Sequence, residues 1–338
     1  MKKYLLLLVS GIIIAGTQGA LAATATILYN QAVENEEFWT SVKNSGSPDY
    51  QKLLSTWCNS LVLGSNRDPV NIYLDSPFRS YEAPAGTQTQ RLEQFKIFGN
   101  LTLTIRPDGR LSPFFWASDY VGNYDERGGS ITIESGASMI VEGSVYSSSF
   151  SMKSGASNLT VRDSANFNTI DRFFLGNESS TDTQTMSIEG SNATLSIQRL
   201  NFIGSNSSGE MAGGKIAWIA DENGFSKLNN IGNVEIFSGS ILVDFTNLIW
   251  DDAWGDEHSF ALLEAQNDSS GVLQAWIDGN ADGSLSELIG VSDGEFSTDG
   301  YELFLTVQKS NLAIPEPSTY AAIFGALAML VATYKRRK

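Results

Sequence analysis

Short runs of alternating apolar and polar residues, separated by Gly, Ser, Asn and Asp, recur through residues 99–243, and this pattern constrains the chain more than any other feature. Period-two alternation puts every second side chain on one face of a strand, and a strand with one apolar face is unstable until something covers it. The run Ile131-Thr132-Ile133-Glu134-Ser135-Gly136-Ala137-Ser138-Met139-Ile140-Val141 reads as strand, glycine turn, strand. The string Ser-Gly-Ala-Ser returns 19 residues after Ser135, at Ser154, between Met152 and Leu159-Thr160-Val161. A third version runs from Met186 to Ile197, and residues 101–111 and 234–243 follow the same plan. A spacing of 28 relates Phe174-Leu175-Gly176-Asn177 to Phe202-Ile203-Gly204-Ser205, and Ile188 to Ile216. Units of about 20 to 30 residues that bury their apolar faces on one another are the sequence sign of a solenoid. The expected fold class is all-β, a parallel β-helix or β-solenoid over residues 99–243, with an antiparallel β-sandwich as the alternative.

The flanking segments read differently. Residues 23–98 hold Trp39, Trp57, Phe78 and prolines at 48, 69, 77 and 84, with helical turns expected around residues 34–42 and 49–59. An open sheet end invites aggregation, so this segment is expected to be an irregular N-terminal cap, with a separate ligand-binding head as the alternative. Residues 244–310, ending in Tyr301-Glu302-Leu303-Phe304-Leu305-Thr306-Val307, are expected to be final strands and a C-terminal cap.

Charge removes several function classes. The chain has 22 basic against 38 acidic residues, and residues 23–314 alone carry a net charge of −21. Such a field keeps molecules apart in solution and is the wrong sign for phosphate neutralisation, so no nucleic-acid partner is expected. Cys58 and His258 are each the sole residue of their type. A disulfide framework is excluded, as is a cysteine-rich zinc site, and nucleophile–base chemistry starts without its usual partners. Cys58, beside Trp57, reads as a small buried apolar residue.

Both termini carry targeting patterns. Met1-Lys2-Lys3, an apolar run from Tyr4 to Ile14, and the small-residue exit Ala20-Leu21-Ala22 make a secretory signal peptide over residues 1–22, with cleavage expected after Ala22. At the other end, Ile314-Pro315-Glu316-Pro317 precedes 18 uncharged residues, 317–334, and then Lys335-Arg336-Arg337-Lys338. A helix of that length reaches about 27 Å, just enough to cross a bilayer core. The four terminal cations place the stub on the cytoplasmic side as a stop. Two prolines fix φ and remove amide donors, so Pro315-Glu316-Pro317 is expected to be extended and accessible, with Glu316 as the one charge an enzyme could read.

Residues 315–338 closely resemble the PEP-CTERM sorting signal of Gram-negative bacteria, in which a membrane-embedded cysteine peptidase, exosortase, reads the Pro-Glu-Pro triplet. The resemblance implies signal peptidase and exosortase as processing partners, transient anchoring in the inner membrane, and a final place in the envelope, at the surface or in the extracellular matrix, where exopolysaccharide is the candidate partner. More weakly, residues 173–228 are similar to the repeats of autotransporter passenger-like surface proteins, through their Leu/Ile-Gly-Asn/Ser starts.

Two internal segments invite chemistry. Asp278-Gly279-Asn280-Ala281-Asp282-Gly283 matches the first half of a calcium loop, but position twelve is Ile289 and not a bidentate Glu. An Asp/Gly turn is therefore the preferred reading of Asp278, Asn280 and Asp282, calcium is the alternative, and no cofactor is expected. Asp251, Asp252, Asp256 and Glu257 stand beside Trp250, Trp254 and His258, the kind of carboxylate and aromatic mixture used on sugars. Carboxylate pairs are unavoidable in so acidic a body, and a solvated turn tethered by two tryptophans is preferred. The expected function is an exported, non-catalytic envelope or matrix protein, with a secreted glycan-binding or polysaccharide-degrading β-helix protein as the alternative.

Overall fold

Period-two burial is realised in most of the central strands, as in Ser130–Glu134, Gln184–Glu189 and Ser240–Asp244. The computed structural model describes residues 24–29, 34–35, 60–74, 77–79, 94–112, 129–134, 136–177, 182–204 and 213–312. The protein is all-β: one sheet of mostly parallel strands with a single α-helix among the described residues. In chain order the strands are β1 (Thr24–Tyr29), β2 (Glu34–Asn35), β3 (Ser60–Leu74), β4 (Pro77–Arg79), β5 (Gln94–Ile105), β6 (Arg110–Ser112), β7 (Ser130–Glu134), β8 (Ser138–Val141), β9 (Ser144–Ser154) and β10 (Ser157–Val161). They continue with β11 (Asn166–Leu175), β12 (Gln184–Glu189), β13 (Thr194–Phe202), β14 (Gly214–Ile219), β15 (Leu228–Phe237), β16 (Ser240–Asp244) and β17 (Glu257–Ala265). Helix α1 (Ser270–Gly279) then precedes β18 (Ser286–Ile289), β19 (Glu295–Thr298) and β20 (Glu302–Gln308).

Pairing sorts these strands into three parallel ladders. The first joins β1, β3, β5 and β7, then the second halves of β9, β11, β13 and β15. The second joins β2 to the second halves of β3 and β5, then β8, β10, β12, β14, β16 and β18. The third joins β4 and β6 to the first halves of β9, β11, β13 and β15, and then to β17. Antiparallel pairing is confined among the described residues to β17–β20, β19–β20 and the bridge from Val291 to Leu312.

Registered pairing turns alternation into continuous apolar columns. In the second ladder Leu74, Ile105, Val141, Val161, Ile188, Trp218 and Val243 succeed one another in register, all buried. Each such side chain contributes about 1.5–3 kcal/mol relative to exposure. Columns of different ladders touch: Phe150 and Phe173 of the first ladder contact Phe167 of the third, with ring centroids 5.1 and 5.8 Å away. The interior is thus filled by side chains.

The repeats are offset from the spacing read in the sequence. Leu175, not Phe174, pairs with Phe202, and Ile188 pairs with Trp218, not Ile216. Only the third ladder keeps an interval of 28, from Asn166↔Thr194 to Thr169↔Ile197. Ser-Gly-Ala-Ser also slips by one residue, because Ser138 pairs with Asn158. Ala137 and Ser157 consequently occupy equivalent inward places, and the Ser157 hydroxyl is buried without a partner. What the Gly motif encodes is the corner. Gly176 has φ +93°, and a Cβ there would collide with the Ile203 carbonyl, while one on Gly204 would collide with that of Ser238. Stacked corners at this separation admit only glycine.

Strand stacking also begins earlier than residue 99, since β1 and β3 lie in register with β5. Where helical turns were expected over residues 34–42, Glu34–Asn35 is a strand, because it pairs with Asn71 and Ile72. The rest of that stretch, residues 49–59, Trp39, Trp57 and Cys58 lie outside the described residues. At the other end, α1 buries Leu273 and Trp276, and the Trp276 indole donates to the Gly239 carbonyl at 2.9 Å. Phe237, Trp276 and Phe296 form an edge-to-face chain that covers the last strand of the first ladder. The expected membrane helix over 317–334 lies outside the described residues, and among the described residues no helix is long and apolar enough to cross a membrane.

Thr169 is as buried as Ser157 and its hydroxyl likewise lacks a partner. An unmade buried hydrogen bond costs about 1–3 kcal/mol, so Thr169→Val and Ser157→Ala are each expected to keep the fold and raise stability by up to about 1 kcal/mol. Phe167→Ala is expected to lose about 3–5 kcal/mol. Denaturant melts of the three variants check both signs.

Candidate functional site

The acidic aromatic segment joins β16 to β17. Asp251 begins a 3-10 turn, Asp252–Trp254, by accepting the Ala253 amide at 2.9 Å, and Gly255 ends it at φ 74°. The Trp250 indole closes the loop with a 2.9 Å bond to the Gly255 carbonyl. The turn directs Trp254 back over the start of β17, where its ring stacks on His258 with centroids 4.5 Å apart and planes 15° from parallel. Trp250 meets Trp254 edge-on at 5.4 Å, and His258 meets Phe260 at 4.6 Å. Phe260 in turn contacts Phe225 and Phe245 in the core. The tryptophans thus extend the interior outward, and one face of Trp254 is occupied by imidazole.

The carboxylates around them have structural work. Asp251 is the turn cap, Asp252 pairs with the Lys309 ammonium at 2.8 Å, and Glu257 accepts from the Gln308 amide across β17–β20. Asp256 receives the Lys309 amide on its backbone carbonyl at 2.8 Å. The hydrogen bond from Lys309, and its charge, hold the Asp252 carboxyl below the usual range. Burial pushes the His258 imidazole below its ordinary value, and the nearby Asp251 charge opposes this without reversing it. This arrangement fastens a loop and the C-terminal strand to the body. Glycosidase chemistry would need two carboxyls facing a sugar across open space.

The half calcium loop lies at the end of α1. Asp278 accepts the Gln274 side-chain amide at 2.8 Å. Asn280, which is buried, accepts the Leu285 amide at 2.8 Å and donates to the Ser286 hydroxyl at 2.9 Å, so it shapes the entry to β18. Asp282 accepts the Ser284 amide at 2.9 Å, and the Ser284 bonds hold its carboxyl below the usual range. Each of these three side chains thus accepts a hydrogen bond from a nearby group of the helix end or turn. Among the described residues no group of three or more His, Cys, Asp or Glu side chains is placed to hold a metal ion. Ala20, Ala22, Pro315, Glu316, Pro317 and Lys335 to Lys338 lie outside the described residues.

The sequence reading missed a polar network along the corners between the second and third ladders. Asp163 accepts both nitrogens of Asn192, at 2.8 and 3.1 Å. Asp221 accepts the amide and hydroxyl of Ser191, at 3.0 and 2.7 Å, and the amides of Asn223 and Gly224. Burial raises the Asp221 pKa, but these donors together outweigh it and hold the carboxyl below its ordinary value. The string Asp221-Glu222-Asn223-Gly224 carries an Asx-turn signature that would have located it. Searches against protein-family models, curated proteins and solved structures find no match to this chain.

A histidine whose folded pKa is depressed gives stability that is present above its unfolded value, near 6.5, and is lost as pH falls below that value. Acidification from pH 7 to 5 is therefore expected to lower the melting temperature of the wild type more than that of His258→Gln. Loss from Asp221, Asp252 and Asp282, whose pKa values are lowered, should begin only as pH drops through the normal carboxylate range near 4. Thermal melts across pH in both proteins read the two windows. Calcium at about 1 mM is expected to shift the melting temperature by less than about 1 °C, because a ligand stabilises only in so far as its concentration exceeds its dissociation constant. Calorimetry with calcium and with EDTA, on wild type and Asp282→Ala, measures this.

Proposed function

We propose that the chain is an exported, non-catalytic protein of the cell envelope or extracellular matrix, whose body is a three-sided β-solenoid sorted through a C-terminal PEP-CTERM signal. The observation that carries the reading is the order of parts at the C-terminus. Leu312 bridges Val291 and packs on the core, and only Ala313 and Ile314 separate it from Pro315-Glu316-Pro317, the uncharged stretch and the basic stop. The three residue steps from Leu312 to Pro315 span at most about 11 Å, so a peptidase reading the triplet would work close against the body. Strand β20 and the Leu312 bridge precede the motif in sequence, an order that suits a signal meant to be removed without damage to the strands described.

The solenoid reading is supported by the registered parallel ladders. Eight strands in the first ladder, about 4.8 Å apart, give a shaft about 34 Å long before its ends are counted. A filled interior and outward polar rows suit a spacer or surface element. The roles of Asp251, Asp252 and Glu257 as cap, ion-pair partner and strand-end acceptor support a non-catalytic body.

If a membrane peptidase reads the triplet, Glu316→Gln is expected to let full-length protein accumulate in membranes of the native host while export continues. A plain tail anchor would be indifferent to that change, because the residue lies outside the hydrocarbon. The ratio of full-length to trimmed protein in membrane fractions decides between them, and a wild type that stays wholly uncleaved would overturn the sorting proposal.

A further inference from the structure

Among the described residues several cations of this acidic body are paired with carboxylates. Lys96 pairs with Glu134, Arg162 with Glu142 and Glu189, Lys215 with Glu287, and Lys227 with Glu264 and Glu302. Lys153 and Arg172 differ. Both are exposed on the outward face of the first ladder, and among the described residues neither forms an ion pair with a carboxylate. The Lys153 ammonium is held over the Phe174 ring, 3.5 Å from its centroid. Arg172 is the register partner of Ser149 on one side and Arg199 on the other, one strand spacing away from each. Arg199 keeps only long contacts, 3.7 Å to Asp171 and 3.8 Å to Glu235, with its side chain 42% exposed, so an incoming anion can compete for it. Burial, and then the neighbouring Arg172 charge, push the Lys153 pKa down.

We propose that this face, centred on Lys153, Phe174 and Arg172, binds the carboxylates of an acidic polysaccharide. Arg172 and the Lys153 ammonium both adjoin Phe174 on this face, one two residues along the strand and the other over the ring, and an anion bound between two unneutralised cations relieves their mutual repulsion. The planar Arg172 fork matches a carboxylate through two parallel hydrogen bonds, and Lys153 adds a point charge fixed by the ring beneath it. Ser149 and Ser151, the register partners of Arg172 and Phe174, offer hydroxyls beside the cations to the hydroxyls of a sugar. The surface is an open sheet face, where each sugar makes few contacts, so useful affinity requires a polymer that engages several rows at once. The face is independent of the sorting signal and of its processing.

The test is native affinity electrophoresis of the full chain through gels cast with alginate, in EDTA so that calcium cannot bridge carboxylates. Retardation is expected, falling as salt rises. Arg172→Gln should weaken it about threefold and Lys153→Ala/Arg172→Gln about tenfold or more, as loss of charge-assisted hydrogen bonds implies. Arg162→Ala, which removes the same charge elsewhere, should leave it unchanged. Unaltered melting temperatures in the variants tie the loss to the surface. Absence of retardation by alginate, an equal loss in Arg162→Ala, or equal retardation by polyglutamate or polyphosphate would overturn the proposal.

Discussion

The hydrogen-bonded register between parallel strands is the constraint on which everything else in this protein depends. A strand such as Ser130–Glu134 has one apolar face and cannot cover it by itself. Stacked in register, Ile131 meets Phe95 on one side and Phe150 on the other, and single residues become a column. A slip by one residue would turn the whole apolar face outward, so the pairing is set by burial as much as by the backbone. Corners then follow from the ladders. The chain must turn at the same height in each unit, which makes Gly176 and Gly204 obligatory and aligns Asp163, Asn192 and Asp221 into a polar seam.

Alternation was legible in the sequence because it is a property of each strand alone, and it led directly to the all-β class. Register was not, because it is a property of neighbours. The recurrence of Ser-Gly-Ala-Ser suggested that Ser138 and Ser157 were equivalent, yet burial of Met139 beside Leu159 sets the pairing one residue away and leaves a hydroxyl inside. The interval of 28 holds in the third ladder only, since the corners differ in length from one ladder to the next. Prolines and tryptophans before residue 99 concealed strands that stack on β5, for nothing local announces a pairing partner 34 residues away, as between Leu61 and Phe95.

At the candidate sites the sequence showed which residue types were present but not which were already engaged. Asp251, Asp252 and Glu257 look alike in a linear reading, and the structure gives them three different structural partners. Lys153 and Arg172 were invisible as a pair because 19 residues separate them, and only the stacking of β9 on β11, with the Lys153 ammonium over the Phe174 ring, puts them on one face. Among the described residues Lys153 and Arg172 are exposed cations without a carboxylate partner on one outward face, which makes that face chemically distinct.

The parallel stacking itself is most directly tested by disulfide formation between outward positions on β11 and β13. Parallel pairing keeps a constant difference between partners, so Asn166 lies beside Thr194 and Asn168 beside Ser196. With Cys58 replaced by Ser, the cysteine pairs 166/194 and 168/196 should both oxidise readily and leave the melting temperature at or above that of the reduced protein. The crossed pairs 166/196 and 168/194 lie beyond the reach of a disulfide in this arrangement. Efficient closure of the crossed pairs, with failure of the direct ones, would mean antiparallel pairing and would contradict the stacked-ladder account.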